Sequence, residues 1–184
     1  VYAVPRRLLE VVCDTKTPQG ACAAFGLPSF FDMEHAPERL VVLDGVQDPG
    51  NVGTIWRTAD AAGIGGLLMS AACADPFSPK VQRAAMGSGF RVPVSMTDDL
   101  VGALEALKAR GYSVIASSLH GAPFYENAPH GGRFALVIGN EARGVSEAVM
   151  EAADVRLKLP MRGGAESLNA AVAAGIMMYE LTRD

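Results

Sequence analysis

The chain has 184 residues, 49% apolar and 20% charged, with a formal net charge of −4. That is the composition of one ordinary globular domain with a sizeable core, and it argues against disorder. No apolar run approaches the ~18–20 residues of a membrane span, and no charged leader followed by an apolar stretch is visible, so a cytoplasmic chain with no membrane partner is expected.

Cys13, Cys22 and Cys73 form no C-x-x-C pair, and His35, His120 and His130 are scattered. Neither a disulfide framework nor a metal site is expected from them. The acidic balance weakens a global basic surface for nucleic acid. A local patch built from Arg6, Arg7, Lys16, Arg83, Arg91, Arg143 and Arg162 stays open.

The first 38 residues hold a short amphipathic stretch, Val4 to Val12, then a Thr-Lys-Thr-Pro-Gln-Gly turn. "LPSFFDMEHAPERL" follows as a linker punctuated by Pro28 and Pro37. This segment is too short for its own core. From residue 39 the rhythm changes. "RLVVLDG" reads as a buried strand, "NVGTIWRTADAAG" as a helix stopped by Gly63, and "GGLLMSA" as a strand. "PKVQRAAMGSG" is a short helix. "DDLVGALEALKARG" places Leu100, Leu104 and Leu107 at helical spacing, with Gly111 as the stop. "YSVIASS" and "FALVIG" are strands, "VSEAVMEAA" a helix, "DVRLKLP" a short strand, and "SLNAAVAAGIMMYELTRD" a long final helix. Short apolar strands alternating with helices predict an α/β fold: a mostly parallel sheet with helices on both faces. Ligands in such folds bind beyond the carboxyl ends of the strands, so the loops there carry the chemistry.

Three loops stand out. In "LDGVQDPGNVGTIWRTADAAG", Asn51 is a candidate N-cap, Gly50 and Gly53 allow close approach, and Arg57 lies on the helix within reach of Asp60 at i+3. In "FALVIGNEARGVS", Gly139 and Gly144 outline a phosphate loop, but Val145 stands where its lysine belongs. A nucleoside triphosphate is therefore not expected. Glu141, directly after a buried strand, needs backbone N–H groups or a cation as partner; capping of the next helix is the simplest arrangement. In "LKLPMRGGAESLNAAVAAG", Ser167 is the expected N-cap of an alanine-rich helix, and Asn169 is a poor helix former with no evident purpose.

Together these stretches resemble the SpoU (TrmH) family of the SPOUT superfamily, S-adenosylmethionine-dependent RNA ribose 2'-O-methyltransferases. "DPGNVGTIWRTADAAG", "LVIGNEARGVS" and "LPMRGGAESLNAAVAAGIMMYE" look like that family's three motifs, in order, and "DPFSPKVQRAAMGSGFRVPV" resembles the segment between the first two. The resemblance implies a C-terminal trefoil knot, with S-adenosylmethionine bent among the knot loops and held largely by backbone groups. It implies catalytic roles for Arg57, Glu141 and Asn169, with Asn51 and Ser167 in support. Gly139, Leu159 and Leu168 match cofactor-contacting positions, with Met161 and Ser118 as further candidates. No metal is implied. It divides the chain into residues 1–38, the end of an N-terminal RNA-binding domain plus linker, and residues 39–184, the catalytic domain. It further implies a homodimer, for which the face of Ala170, Ala171, Ala174 and Met178 is a candidate surface, although core packing suits that face equally. The substrate would be ribosomal or transfer RNA. Two alternatives stay open: a non-catalytic RNA-binding or ribosome-assembly protein on the same scaffold, and a base methyltransferase.

Overall fold

A computed structural model describes residues 1–13, 17–24, 26–27, 31–129 and 131–183. Lys16, Pro28 and His130 lie outside the described residues. The elements in chain order are α1 (Arg6–Val12), β1 (Arg39–Asp44), α2 (Pro49–Ala61), β2 (Gly66–Ser70), α3 (Pro79–Ala85), β3 (Val94–Thr97), α4 (Leu100–Ala109), β4 (Ser113–Pro123), α5 (Phe124–Asn127), β5 (Phe134–Gly139), α6 (Glu147–Ala152), β6 (Val155–Lys158) and α7 (Ala170–Leu181).

The six strands form one sheet in the order β3-β2-β1-β5-β4-β6. Every neighbouring pair is parallel. Parallel strands need crossovers, and the helices that make them cover both faces. Side-chain alternation then sorts the strands into two cores. Val41, Leu43, Leu67, Met69, Leu136 and Ile138 face α2 and α7, with Trp56, Ala174 and Met178. Leu40, Val42, Leu68, Ala135 and Val137 face the other side, where Leu100, Leu104 and Leu107 of α4 pack. The expected glycine stops hold: Gly63 (φ 71°) and Gly111 (φ 82°) sit just past their helices in the left-handed region.

Several elements differ from the sequence expectation. β3 is a strand that the sequence reading passed over. It is a four-residue edge strand behind Pro93, too short for a clear alternation. β4 runs on to Pro123 through a register shift between Ser117 and Ala122, so that both residues pair with Leu157 of β6. The short helix α5 follows it. The amphipathic stretch near the start does form a helix, but α1 buries no residue. No helix among the described residues is long and apolar enough to cross a membrane.

The order of the strands positions the site. β1 leads outward through β2 to β3, whereas β5 lies on its other flank and leads through α6 to β6. Chains leaving β1 and β5 therefore diverge and open a crevice at their carboxyl ends. Asp44 and Gly139, the last residues of these strands, are partners in the parallel register.

Candidate active site

Two loops emerge from that crevice and are laced together by side chains. The Asp44 carboxylate accepts from the Ser146 backbone N–H at 2.7 Å. Asn140 donates its amide to the Gly45 carbonyl at 2.8 Å, and its side-chain oxygen accepts from the N–H groups of Ala142 and Arg143 at 3.0 and 3.1 Å. The backbone closes the same loop through reciprocal Asn140–Gly144 hydrogen bonds of 2.9 and 2.8 Å. Sequence reading assigned neither Asp44 nor Asn140 a role. Their positions at a strand end beside glycines were the available signal.

Gly139 is required by this closure. A Cβ there would strike the backbone of Gly144 and Val145. The glycine expected to contact the cofactor is thus first needed by the chain's own loop. Gly53 likewise serves packing: a Cβ on it would lie 2.5 Å from Ala84 Cβ and 2.6 Å from the Val81 carbonyl, so α2 and α3 touch there.

Glu141 sits at the tip of the closed loop. Its carboxylate does not cap the following helix. It reaches back to the loop after β1 and accepts from the N–H groups of Gln47 (3.3 Å) and Asp48 (3.1 Å) and from the Asn51 side-chain amide (2.9 Å). Burial pushes the carboxyl up, but the hydrogen bonds from Asn51, Asp48 and Gln47 outweigh it, and its pKa lies below the ordinary glutamate value.

Two capping expectations are corrected. Asp48, not Asn51, is the N-cap of α2, accepting from the Asn51 N–H at 2.9 Å. Asn51 is thereby free to turn its side chain to Glu141. Asn169, not Ser167, is the N-cap of α7; its oxygen accepts from Ala171 (2.9 Å) and Val172 (3.2 Å). That explains the asparagine, since its carboxamide satisfies two otherwise orphaned N–H groups. Capping also points its NH2 group outward, to the Asn51 side-chain oxygen at 2.9 Å. The result is a directed relay, Asn169 to Asn51 to Glu141, that joins three loops.

Arg57 stands apart from the relay. It lies six residues past Asn51, ~120° away around the helix. It is exposed and makes no ion pair among the described residues. The i+3 pairing with Asp60 does not form, because Asp60 instead receives Arg91 at 2.6 and 2.8 Å. Glu141 takes its donors from Gln47, Asp48 and Asn51, and no hydrogen bond or ion pair joins it to Arg57 among the described residues.

A cavity of about 630 Å³ opens beside the relay. Ser118, Gly139, Leu159, Met161 and Leu168 all line it, as do Glu141, Ser167 and Asn169. Ile138, Leu157, Met150 and Met177 add apolar wall, Arg143 and His120 add polar groups, and no lysine among the described residues faces it. That volume lies within the ~300–1,000 Å³ of small-molecule sites, and an apolar wall with a polar rim suits a nucleoside-sized ligand. The alanine face of α7 is core: Ala171, Ala174 and Met178 are buried, and Gly175 turns toward Thr58 of α2, whereas Val172 and Tyr179 on the other side are half exposed.

The chain is similar to known RNA methyltransferases. Over 180 residues the chain is 39% identical to the 23S rRNA (guanosine(2553)-2'-O)-methyltransferase RlmP of Bacillus subtilis, covering 98% of this chain and 71% of that protein. An AdoMet-bound rRNA methyltransferase from Sinorhizobium meliloti superposes with a TM-score of 0.82 at 33% identity, over 96% of this chain and 69% of that one. The SpoU methyltransferase AviRb from Streptomyces viridochromogenes, in complex with AdoMet, superposes with a TM-score of 0.75 at 33% identity, over 84% of this chain and 64% of that one. The model of the SpoU rRNA Methylase family matches residues 38–179. With the crevice between β1 and β5 and this likeness together, the chain belongs to the SpoU rRNA methylase family.

Proposed function

We propose that this protein methylates a ribose 2'-hydroxyl in ribosomal or transfer RNA, with S-adenosylmethionine as methyl donor. The observation that carries the reading is the Asn169–Asn51–Glu141 relay beside a nucleoside-sized apolar cavity. When bound, S-adenosylmethionine supplies an electrophilic sulfonium methyl group. Ser118, Gly139, Leu159, Met161 and Leu168 are the residues assigned to hold it. They offer an apolar slot and backbone groups, and Leu159 and Leu168 flank the entry to α7.

The remaining chemistry belongs to positioning and charge. A hydroxyl is a weak nucleophile until its proton is drawn away. A guanidinium is a poor proton acceptor and a strong hydrogen-bond donor, so Arg57 is assigned to the RNA phosphate or the developing alkoxide, and solvent takes the proton. Its lack of an ion pair among the described residues suits a group reserved for substrate. Asn169 and Ser167, at the cavity edge, are assigned to the ribose, with Asn51 and Glu141 holding Asn169 in place. Alignment of the hydroxyl supplies much of the rate.

The same reading includes a C-terminal trefoil knot. The insertion of β5 between β1 and β4, and the return of α7 from β6 onto α2, support it. It also includes a cytoplasmic homodimer using the exposed side of α7, where Ile176 and Tyr179 border a groove with Ala61 and Tyr125. Residues 39–184 are assigned to the catalytic domain and residues 1–38 to an N-terminal segment, of which Phe31, Met33 and Ala36 pack onto the α4 side of that domain's core.

The test is transfer of labelled methyl from S-adenosylmethionine to separated ribosomal and transfer RNA pools, followed by nucleoside digestion. A 2'-O-methylated nucleoside is expected. A methylated base, or RNA binding without transfer, overturns the reading.

A further inference from the structure

From the seam between α2 and α3 we infer that single-stranded RNA docks on a basic, partly aromatic surface made by Arg57, Lys80, Arg83, Met86 and Phe90; this rests on the reading of the protein as an RNA methyltransferase. The two helices touch at Gly53 and Ala84. Arg57 lies one turn beyond Gly53 on the same flank, so it emerges along that seam. Lys80 lies one turn before Ala84 on α3, and Arg83 is its neighbour. All three cations are exposed, and none makes an ion pair among the described residues.

The contrast with Arg91 is informative. It lies on the same loop system, but Asp60 neutralises it through two hydrogen bonds. The carboxylate nearest to α3 in the chain, Asp75, accepts from the Phe77 N–H instead of meeting Lys80 or Arg83. In a chain of net charge −4, this surface keeps its positive charge available.

The apolar part is held outward by the backbone. Met86 closes α3 at φ 51°, the one non-glycine residue with positive φ among the described residues. Such a conformation is costly for a residue with a Cβ. Gly87 continues the turn at φ 84°, with the Phe90 ring beside it. Met86 is 67% exposed and Phe90 66%. Trp56 anchors the turn from below: its indole packs against Gly89 and donates to the Val92 carbonyl at 2.9 Å. An exposed ring just past a helix that carries exposed cations matches the chemistry of single-stranded nucleic acid, whose bases stack and whose phosphates pair. Since Arg57 shares α2 with Asn51, a strand lying here runs toward the relay.

Binding of purified ribosomal and transfer RNA to the full chain, measured by filter retention across a salt series, tests this. The variants are Lys80→Glu, Arg83→Glu and Phe90→Ala, with calorimetric S-adenosylmethionine binding as the control for folding. We expect RNA Kd to rise about tenfold in each, with a shallower salt dependence in the two charge variants only. In methyl transfer, KM for RNA should rise while kcat is kept. Unchanged RNA affinity in all three variants, with an active wild type, overturns the docking surface alone. So does a loss of dimer in sedimentation without a change in RNA affinity, which would assign this surface to a second copy. A wild type that neither retains nor methylates RNA removes the functional reading and this inference with it.

Discussion

The Glu141 carboxylate and the Asn51 carboxamide, 90 residues apart in the chain, meet at 2.9 Å across the crevice between β1 and β5. Asn51 is the central member of the relay, accepting from Asn169 as it donates to Glu141. Asn51→Ala breaks both hydrogen bonds at once. At about 1–2 kcal/mol on the barrier, kcat should fall roughly tenfold or more, with KM for S-adenosylmethionine little changed. Steady-state methyl transfer with varied cofactor checks this.

Asn169 has two duties that substitution can separate. Asn169→Ala removes the cap of α7 and should cost ~1 kcal/mol of stability together with methyl transfer. Asn169→Asp keeps an acceptor for Ala171 and Val172 but loses the donor to Asn51. Its melting temperature should stay near wild type while transfer is lost. A paired denaturation and activity measurement distinguishes the duties; full activity in the Asp variant would exclude the relay from catalysis.

Arg57 makes no ion pair among the described residues, so its removal should spare the fold. Arg57→Ala is expected to change stability by less than ~0.5 kcal/mol and to retain cofactor binding, yet abolish methyl transfer. Thermal denaturation, calorimetry and an RNA methylation assay together check all three points.

Glu141 predicts an acid dependence. Its folded carboxyl titrates below the ordinary value, so its stabilising contribution is fully present above the unfolded pKa and is lost as pH falls through the lower folded one. Glu141→Gln cannot titrate. Its stability should fall less steeply than wild type on the acid side of the ordinary glutamate range, measured by denaturant unfolding at stepped pH.

Gly139→Ala places a methyl against the backbone of Gly144 and Val145, which are not flexible side-chain ends. The loop must shift, at a cost of about 1–3 kcal/mol. Weaker S-adenosylmethionine binding should accompany the lower melting temperature. Unchanged affinity would show that the loop does not shape the cofactor slot.

Much of the architecture was legible because it is local. Leu100, Leu104 and Leu107 announce α4 within a few turns, and Gly63 and Gly111 mark helix ends through a conformation that side chains resist. The strands β1 and β5 read as buried because both faces of a parallel sheet are covered. β3 was not legible, being short, at the edge and preceded by proline. The N-caps were misassigned by two or three residues, since Asp48 and Asn51, or Ser167 and Asn169, are equally good caps by type.

The sequence by itself determined the alternation of strands and helices, the three motif loops and the family, all written in neighbouring residues. Tertiary structure decided which of those residues meet. The parallel register of Asp44 with Gly139 brings Glu141 to Asn51, and the packing of α7 on α2 brings Asn169 to the same carboxamide. It also assigned Asp60 to Arg91 and left Arg57 open to solvent. Hydrogen-bond partners across a crevice depend on strand order and register, and these arise from the burial of both faces of the whole sheet.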